Sequence, residues 1–221
     1  MSETLNIEHL FPATVKSYCC HVQNHTEDLH SKEAIIISKA IDKRCYEFST
    51  GRLCARKALQ QIGIDNYILT KGKNGEPIWP DQIKGTISHS NKWAGAAVAT
   101  TKNIMGIGFD IETISRISNG ILRRIITEKE KELLDKKDEQ QAQIYAVLIF
   151  SAKEAIYKAL SPIYAETLRF KDVSILCKNN SPEFEIELNK GLKFFLKNVR
   201  PFCRYFINEN DIFTAITLLS D

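Results

Sequence analysis

The chain has no run of apolar residues approaching the ~18 that a membrane span needs, and no basic opening segment followed by an apolar stretch of the secretory kind. Both absences predict a cytoplasmic protein with no transmembrane segment. Its six cysteines, Cys19, Cys20, Cys45, Cys54, Cys177 and Cys203, include no Cys-x-x-Cys pair, so reduced thiols are expected rather than a disulfide frame. Cys19, Cys20 and His21, with His25 and His30 nearby, match no standard zinc spacing and are read as structural. Low-complexity stretches and Gly/Ser or Pro linkers are also missing, so any boundary between two halves must be a packed one. An excess of one charge is lacking too. Thirty Lys and Arg against 27 Asp and Glu leave a net charge of +3, too little for a nucleic-acid groove but compatible with local basic clusters that hold small anions.

What is present suits a packed core: 221 residues, 43% of them hydrophobic. Apolar positions at helical spacing predict a helix over Ser31 to Ile62, interrupted at Ser49-Thr50-Gly51 and closed by Gly63. A turn-rich loop, Lys71 to Pro77, precedes three strand-like runs, Gly85 to His89, Trp93 to Thr100 and Ile104 to Ile111, whose short connections imply hairpins. Thr127-Glu128-Lys129-Glu130 is a capping box opening a charged helix. A more buried helix follows from Tyr145 to Leu160, ended by Pro162. Further strands are expected at Phe170 to Cys177, Phe184 to Leu188, Leu192 to Val199, Cys203 to Asn208 and Ile212 to Ser220. Helix then strands thus occurs twice, and Phe48-Ser49 laid over Phe150-Ser151 sets Arg52 against Glu154 and Arg56 against Lys158. The expected fold is α+β with two similar halves related by a pseudo-twofold, 1–112 and 113–221. Each half would be a long helix on a small, mainly antiparallel sheet, with the active site at their interface, the whole forming one unit and sufficient as a monomer.

Two acidic clusters stand out because their surroundings are apolar. In Ile107-Gly108-Phe109-Asp110-Ile111-Glu112 the strand period points Asp110 and Glu112 to one face. In Ser151-Ala152-Lys153-Glu154-Ala155-Ile156-Tyr157-Lys158 the helical period puts Glu154 and Lys158 on one face. Taken singly, the first is a solvated strand end and the second an ordinary helix ion pair. Flanking Ile107, Phe109, Ile111 and 146–150 predict burial, where an unpaired carboxylate is costly. If strand and helix meet, three carboxylates and two lysines converge on a metal-assisted phosphate site. Arg52 and Arg56 share a helical face behind Lys43 and Arg44, either a solvated basic face or a phosphate clamp. Ser88-His89-Ser90 ends a strand in small polar groups that can turn toward phosphate oxygens, or simply forms a polar turn.

Taken together, Phe48-x3-Arg52-x3-Arg56, Gly75-Glu76-Pro77-Ile78-Trp79-Pro80, Ile87-Ser88-His89-Ser90, Gly108 to Glu112 and Phe150-Ser151-Ala152-Lys153-Glu154-Ala155-x2-Lys158 resemble, in order and spacing, the 4′-phosphopantetheinyl transferases of the surfactin type, nearest the enterobactin-synthase branch. The resemblance runs from about Lys43 to Leu160. It implies transfer of the phosphopantetheine arm of coenzyme A, the co-substrate, to a serine of an apo acyl, aryl or peptidyl carrier protein, with release of 3′,5′-ADP and a requirement for Mg2+. It also implies a siderophore or other nonribosomal peptide pathway. By the same likeness Asp110, Glu112 and Glu154 are the metal carboxylates, and Glu154, directly or through water, is the base. Lys158 would stabilise or protonate the leaving α-phosphate, with Lys153 adding positive potential. Arg44, Arg52, Arg56, Ser88, His89 and the loop of Lys73, Glu76 and Pro77 hold coenzyme A.

Two positions depart from the family's pattern. Glu76 stands where lysine is common, with Lys73 as a compensating cation, and Phe150 stands where many members have tryptophan, as a packing residue. An acidic carrier calls for a mildly basic, partly apolar patch, for which Ile117, Ile121, Leu122, Arg123 and Arg124 are candidates. The competing readings are a non-catalytic coenzyme A or carrier-binding subunit and a magnesium nuclease. The nuclease lacks its expected strand lysine after Glu112.

Overall fold

The computed structural model describes residues 3–114, 118–164, 167–178 and 181–220. The chain divides into two units, Met1–Ile104 and Met105–Asp221. In each, one long helix lies on a three-stranded sheet, so the α+β expectation and the similar build of the halves hold.

The first unit contains β1 (Lys16–His21), a one-turn α1 (Ser31–Ala34), α2 (Asp42–Gln60), β2 (Ile83–His89) and β3 (Trp93–Thr100). Its strands lie in the order β1-β3-β2, antiparallel throughout. β3 is half alanine and buried over all but its last residue, and its small side chains admit the Cys54, Ala55, Ala58 and Leu59 face of α2 against Ala94, Ala96 and Val98. β1 was not expected, because Lys-Ser-Tyr-Cys-Cys-His carries almost no β-branched or aliphatic signal. Its strand character comes from pairing with β3. The expected interruption at Ser49-Thr50-Gly51 does not occur. Thr50 Oγ1 lies 2.8 Å from the carbonyls of Tyr46 and Gln23 and accepts the Gln23 N–H, which ties an unbroken α2 to the preceding segment. The break falls instead at 38–41, between a 3-10 turn at Ile35–Ile37 and Asp42.

The second unit runs β4 (Ile104–Thr113), α3 (Asn119–Ile125), α4 (Glu128–Leu134), α5 (Glu139–Leu160), β5 (Val173–Cys177), β6 (Phe184–Leu188), α6 (Lys190–Phe195), β7 (Val199–Asn208) and β8 (Asp211–Ser220). Strands β4, β8 and β7 form one sheet in that order, and β5 and β6 a two-stranded one. The turn after β2 closes a hairpin, with Ser90 Oγ accepting the N–H groups of Lys92 and Trp93. The turn after β3 does not, because β4 pairs with β8. This pairing moves the division to 104/105 from the expected 112/113. The capping box at Thr127 forms as its sequence implies, the Glu130 carboxylate accepting the Thr127 N–H at 2.7 Å. The strand expected at 192–199 is instead α6. Asn189 caps it by accepting the Leu192 N–H at 2.9 Å, and Leu192 and Leu196, four apart, turn inward while Phe194 stays 82% exposed.

Helix α5 packs on β4 and β8 through Ala152, Ala155, Ile156 and Ala159, against Ile216 and Leu218. The approach is closest at Gly106 and Gly108, where a side-chain carbon would collide with the backbone carbonyls of Ala159 and Ala155. Gly108→Ala is therefore expected to lower stability by about 3 kcal/mol, since neither backbone can yield without separating helix from strand. A urea-unfolding midpoint equal to wild type would show that this contact does not set the packing distance.

Candidate active site

In the second unit the close approach of α5 to β4 brings Lys158 to the strand backbone. Its ammonium donates to the Phe109 carbonyl at 3.0 Å and to Asp110 Oδ1 at 2.8 Å. Asp110 is buried, and its other oxygen, Oδ2, accepts from the Ser151 hydroxyl at 2.9 Å. Glu154 lies one turn before Lys158. Burial, and then the negative charge of Asp110, push its carboxyl above the ordinary range, with Lys158 pulling the other way. Two carboxylates thus repel each other beside a single nearby ammonium. Glu112 follows Asp110 by two residues on β4, with Oε2 shielded from solvent. Among the described residues no three His, Cys, Asp or Glu side chains gather as a metal-holding group, and the carboxylates that interact here are Asp110 and Glu154. A cavity of about 290 Å³ opens beside Glu154, walled by Ile156, Tyr157, Leu168, Phe170 and Val173, with Lys153 and Arg169 at its edge.

Lys153 is a correction to its expected role. Its side chain is buried, and the ammonium donates at 2.7 Å both to Glu130 Oε2 and to the Ile125 carbonyl. Glu130, fully buried, also accepts the Ile175 N–H at 2.8 Å. The pair joins α5 to α4, β5 and the end of α3, and its charge is compensated there rather than lent to the site. Burial lowers the pKa of Lys153 while Glu130 raises it.

In the first unit the cations sort themselves by partner. Arg44 Nη1 donates to His89 Nε2 at 2.6 Å, which leaves the proton on Nδ1, 3.5 Å from Glu47 Oε2. Lys43 and Arg44 flank the same carboxylate at 3.9 and 3.8 Å. Arg52 and Arg56, expected to present cationic heads to phosphate, lie instead against the buried carboxylate of Glu33, at 3.8 and 3.1 Å. Arg52 is 6% exposed, and burial lowers its pKa to about 10. Glu33 also accepts the His30 and Leu69 N–H groups, so this cluster fixes the scaffold. Glu76 turns back on its own loop, accepting the Asn74 N–H at 2.9 Å, and Lys71 bridges to Pro77 across it, while Lys73 is exposed. Ser88 is buried at the end of β2.

Family models for the 4′-phosphopantetheinyl transferase N-terminal domain and the 4′-phosphopantetheinyl transferase superfamily match residues 31–99 and 106–206. A 4′-phosphopantetheinyl transferase of Nocardia iowensis, Npt, is 36% identical over 183 residues, 82% of this chain and 78% of that protein. The chain belongs to the 4′-phosphopantetheinyl transferase family. Enterobactin synthase component D of Salmonella typhimurium is 32% identical over 54% of this chain and 49% of its own length, a shorter match than the Nocardia one. A holo-(acyl-carrier-protein) synthase of Bacillus anthracis superposes with a TM-score of 0.45 at 20% identity, over 54% of this chain and 99% of that one.

In this phosphopantetheinyl transferase, residues 121–124 of the proposed carrier patch lie on α3, which exposes Ile121 at 44% and also Arg123 and Arg124, whereas Ile117 lies outside the described residues. Phe150 stacks on Phe170, as a packing position should. Cys20 and Cys54 face each other at 3.6 Å as free thiols, His21 packs on Trp93, and His25 pairs with Asp28. Sequence reading missed the acids that neutralise its candidates: Glu33, Glu47 and Glu130. Of these, only Glu47, three residues after Arg44 on α2, and Glu130, in a capping box, left a local signal.

Two outcomes follow for stability. Lys153→Met leaves the buried Glu130 without its cation, and should cost roughly 3–5 kcal/mol in urea unfolding; an unchanged midpoint would remove the pair from the scaffold. Glu154 has the opposite sign. Its raised folded pKa means that its stabilising contribution is present below the ordinary carboxylate pKa and lost as pH rises through the folded value. Glu154→Gln should therefore raise the melting temperature at pH 7, on the order of 2 °C, with the gain vanishing near pH 4. A gain equal at both pH values would contradict the assigned strain.

Proposed function

We propose that this chain transfers the 4′-phosphopantetheine group of coenzyme A to a serine of an apo carrier protein, releasing 3′,5′-ADP, in a siderophore or other nonribosomal peptide system. The observation that carries this is the set on one face of α5 and the adjoining strand: a proton-hungry Glu154, Lys158 on Asp110, and a mainly apolar cavity alongside. Such a cavity suits the uncharged pantetheine arm, whose amides need few partners.

In this reading the Glu154 carboxylate takes the proton of the carrier serine, and burial makes it a better acceptor than a free glutamate. The serine oxygen forms its bond to the phosphorus that bears pantetheine as the bond to the bridging oxygen of the diphosphate breaks. Lys158 stands by the oxygen that leaves. Arg44, His89 and Ser88, with exposed Lys73, bind the phosphates of the nucleotide end. A magnesium ion, when bound, neutralises charge on the diphosphate. Asp110 and Glu154 suit it, because two hard carboxylates already repelling each other gain from a divalent cation, and magnesium is commonly held by one or two carboxylates plus phosphate and water. Glu112 would add a further oxygen. Among the described residues no helix is long and apolar enough to cross a membrane, and the cytoplasm, where coenzyme A and newly made carriers occur together, is the proposed location.

The protein incubated with coenzyme A, Mg2+ and an apo carrier is expected to add one phosphopantetheine to the carrier, read by mass spectrometry. Glu154→Gln and chelation of Mg2+ should each abolish it. Binding of coenzyme A without a mass change on any of several carriers would leave only the binding-subunit reading.

A further inference from the structure

Behind Asp110 lie two hydroxyls that the reaction above does not use. Ser151, on α5 three residues before Glu154 and seven before Lys158, is fully buried. Its hydroxyl donates to Asp110 Oδ2 at 2.9 Å and lies 2.8 Å from the hydroxyl of Thr214, which is also fully buried, on β8. A serine hydroxyl carries one hydrogen. With that hydrogen committed to Asp110, the second bond must run from Thr214 to Ser151. The result is a directed chain, Thr214 to Ser151 to Asp110, closed on its far side by Lys158 at 2.8 Å from Oδ1.

Thr214 shares one face of β8 with Ile212 and Ile216, and those two pack with the apolar residues of α5. Valine would fill the same space, and a buried hydroxyl is costly without a partner. On helix α5 the serine at 151 reaches both the strand threonine and the aspartate.

We propose that Ser151 and Thr214 are positioning residues that hold the Asp110 carboxylate with Oδ2 turned to Ser151 and Oδ1 to Lys158, and so set the affinity of the Asp110 and Glu154 pair for a divalent cation. The inference rests on the function proposed above. A free carboxylate can rotate about its terminal bond and offer either oxygen. Donation from Ser151 removes that freedom, and donation from Thr214 keeps the Ser151 hydroxyl from turning to a helix carbonyl instead.

The test is Mn2+ binding, followed by electron paramagnetic resonance of the free ion with coenzyme A present, for Ser151→Ala, Thr214→Val, the double variant and Thr214→Ser. Ser151→Ala is expected to weaken Mn2+ binding roughly 10–100-fold, the range seen when a partner of a ligating group is removed. Thr214→Val should weaken it in the same direction by less, Thr214→Ser should restore it, and the double variant should be no worse than Ser151→Ala, because the two act as one chain. Urea midpoints measured alongside separate this from a packing role. Variants that lose stability but bind Mn2+ as wild type does would overturn the proposal, as would two single effects that add in full. If Ser151→Ala does not fold, Thr214→Val against Thr214→Ser carries the same decision. A wild-type protein that binds Mn2+ but modifies no carrier would refute the transfer reaction while leaving the positioning result standing.

Discussion

The contact on which the second unit depends is the approach of α5 to β4 over Gly106 and Gly108. With no side chain there, the helix carbonyls of Ala155 and Ala159 come down onto the strand itself. A lysine on the same turns of helix can then reach a strand carbonyl and the next residue's carboxylate together, as Lys158 does with Phe109 and Asp110. Any larger residue at those two positions would hold the helix away, and the ammonium would meet water instead. The spacing of the reactive groups is thus set by two residues that have no functional group.

The same helix carries three charges within six residues, and their environments assign them different work. Lys153 points to the side where Glu130 waits, with that acid's remaining capacity taken by backbone N–H groups of Thr127 and Ile175. Every charge in that cluster is answered, which makes it rigid and chemically quiet. Glu154, the next residue, is turned about 100° around the helix. It meets another carboxylate, and a buried pair of like charges is what a well-satisfied scaffold avoids. In the first unit Glu33 is likewise saturated by Arg52, Arg56 and two N–H groups, whereas Glu47 sits among Lys43, Arg44 and His89 at 3.5 to 3.9 Å, with half of Arg44 open to solvent. Arg44 and His89 stay partly exposed, whereas Arg52 is buried.

Much of this could be read from the chain because local signals and tertiary needs agree. Strand β3 and strand β6 begin and end where period and punctuation put them, and the box from Thr127 to Glu130 caps α4 as its residue types demand. Where they disagree, distance in sequence is the reason. Leu192 to Val199 has strand-like composition, yet Asn189 caps a helix there and Leu192 and Leu196 need the same side. Strand β1 has little strand composition and exists because β3 offers it an edge. For the charged residues the decisive partner is remote: Lys153 and Glu130 are 23 positions apart, and Ser151 and Thr214 are 63 apart. An i,i+4 pattern announces that Arg52 and Arg56 share a face, but not that Glu33 is buried under it.

The contrast between saturated and strained acids explains why motif and role separate within Ser151-Ala152-Lys153-Glu154-Ala155. Ala152 and Ala155 are small so that the helix can sit close, Lys153 secures the helix from one side, and Ser151 reaches the aspartate from the other. Burial opposes the charge of both Lys153 and Glu154, but Lys153 has Glu130 as a hydrogen-bonded counter-charge, whereas Glu154 also meets the like charge of Asp110. Folding must supply the free energy for that opposition from the contacts around it. A site of this kind could not be built on a loop. It needs an acid held against another acid by a helix that has no freedom to turn away, and the glycine-lined contact of α5 with β4 provides that restraint.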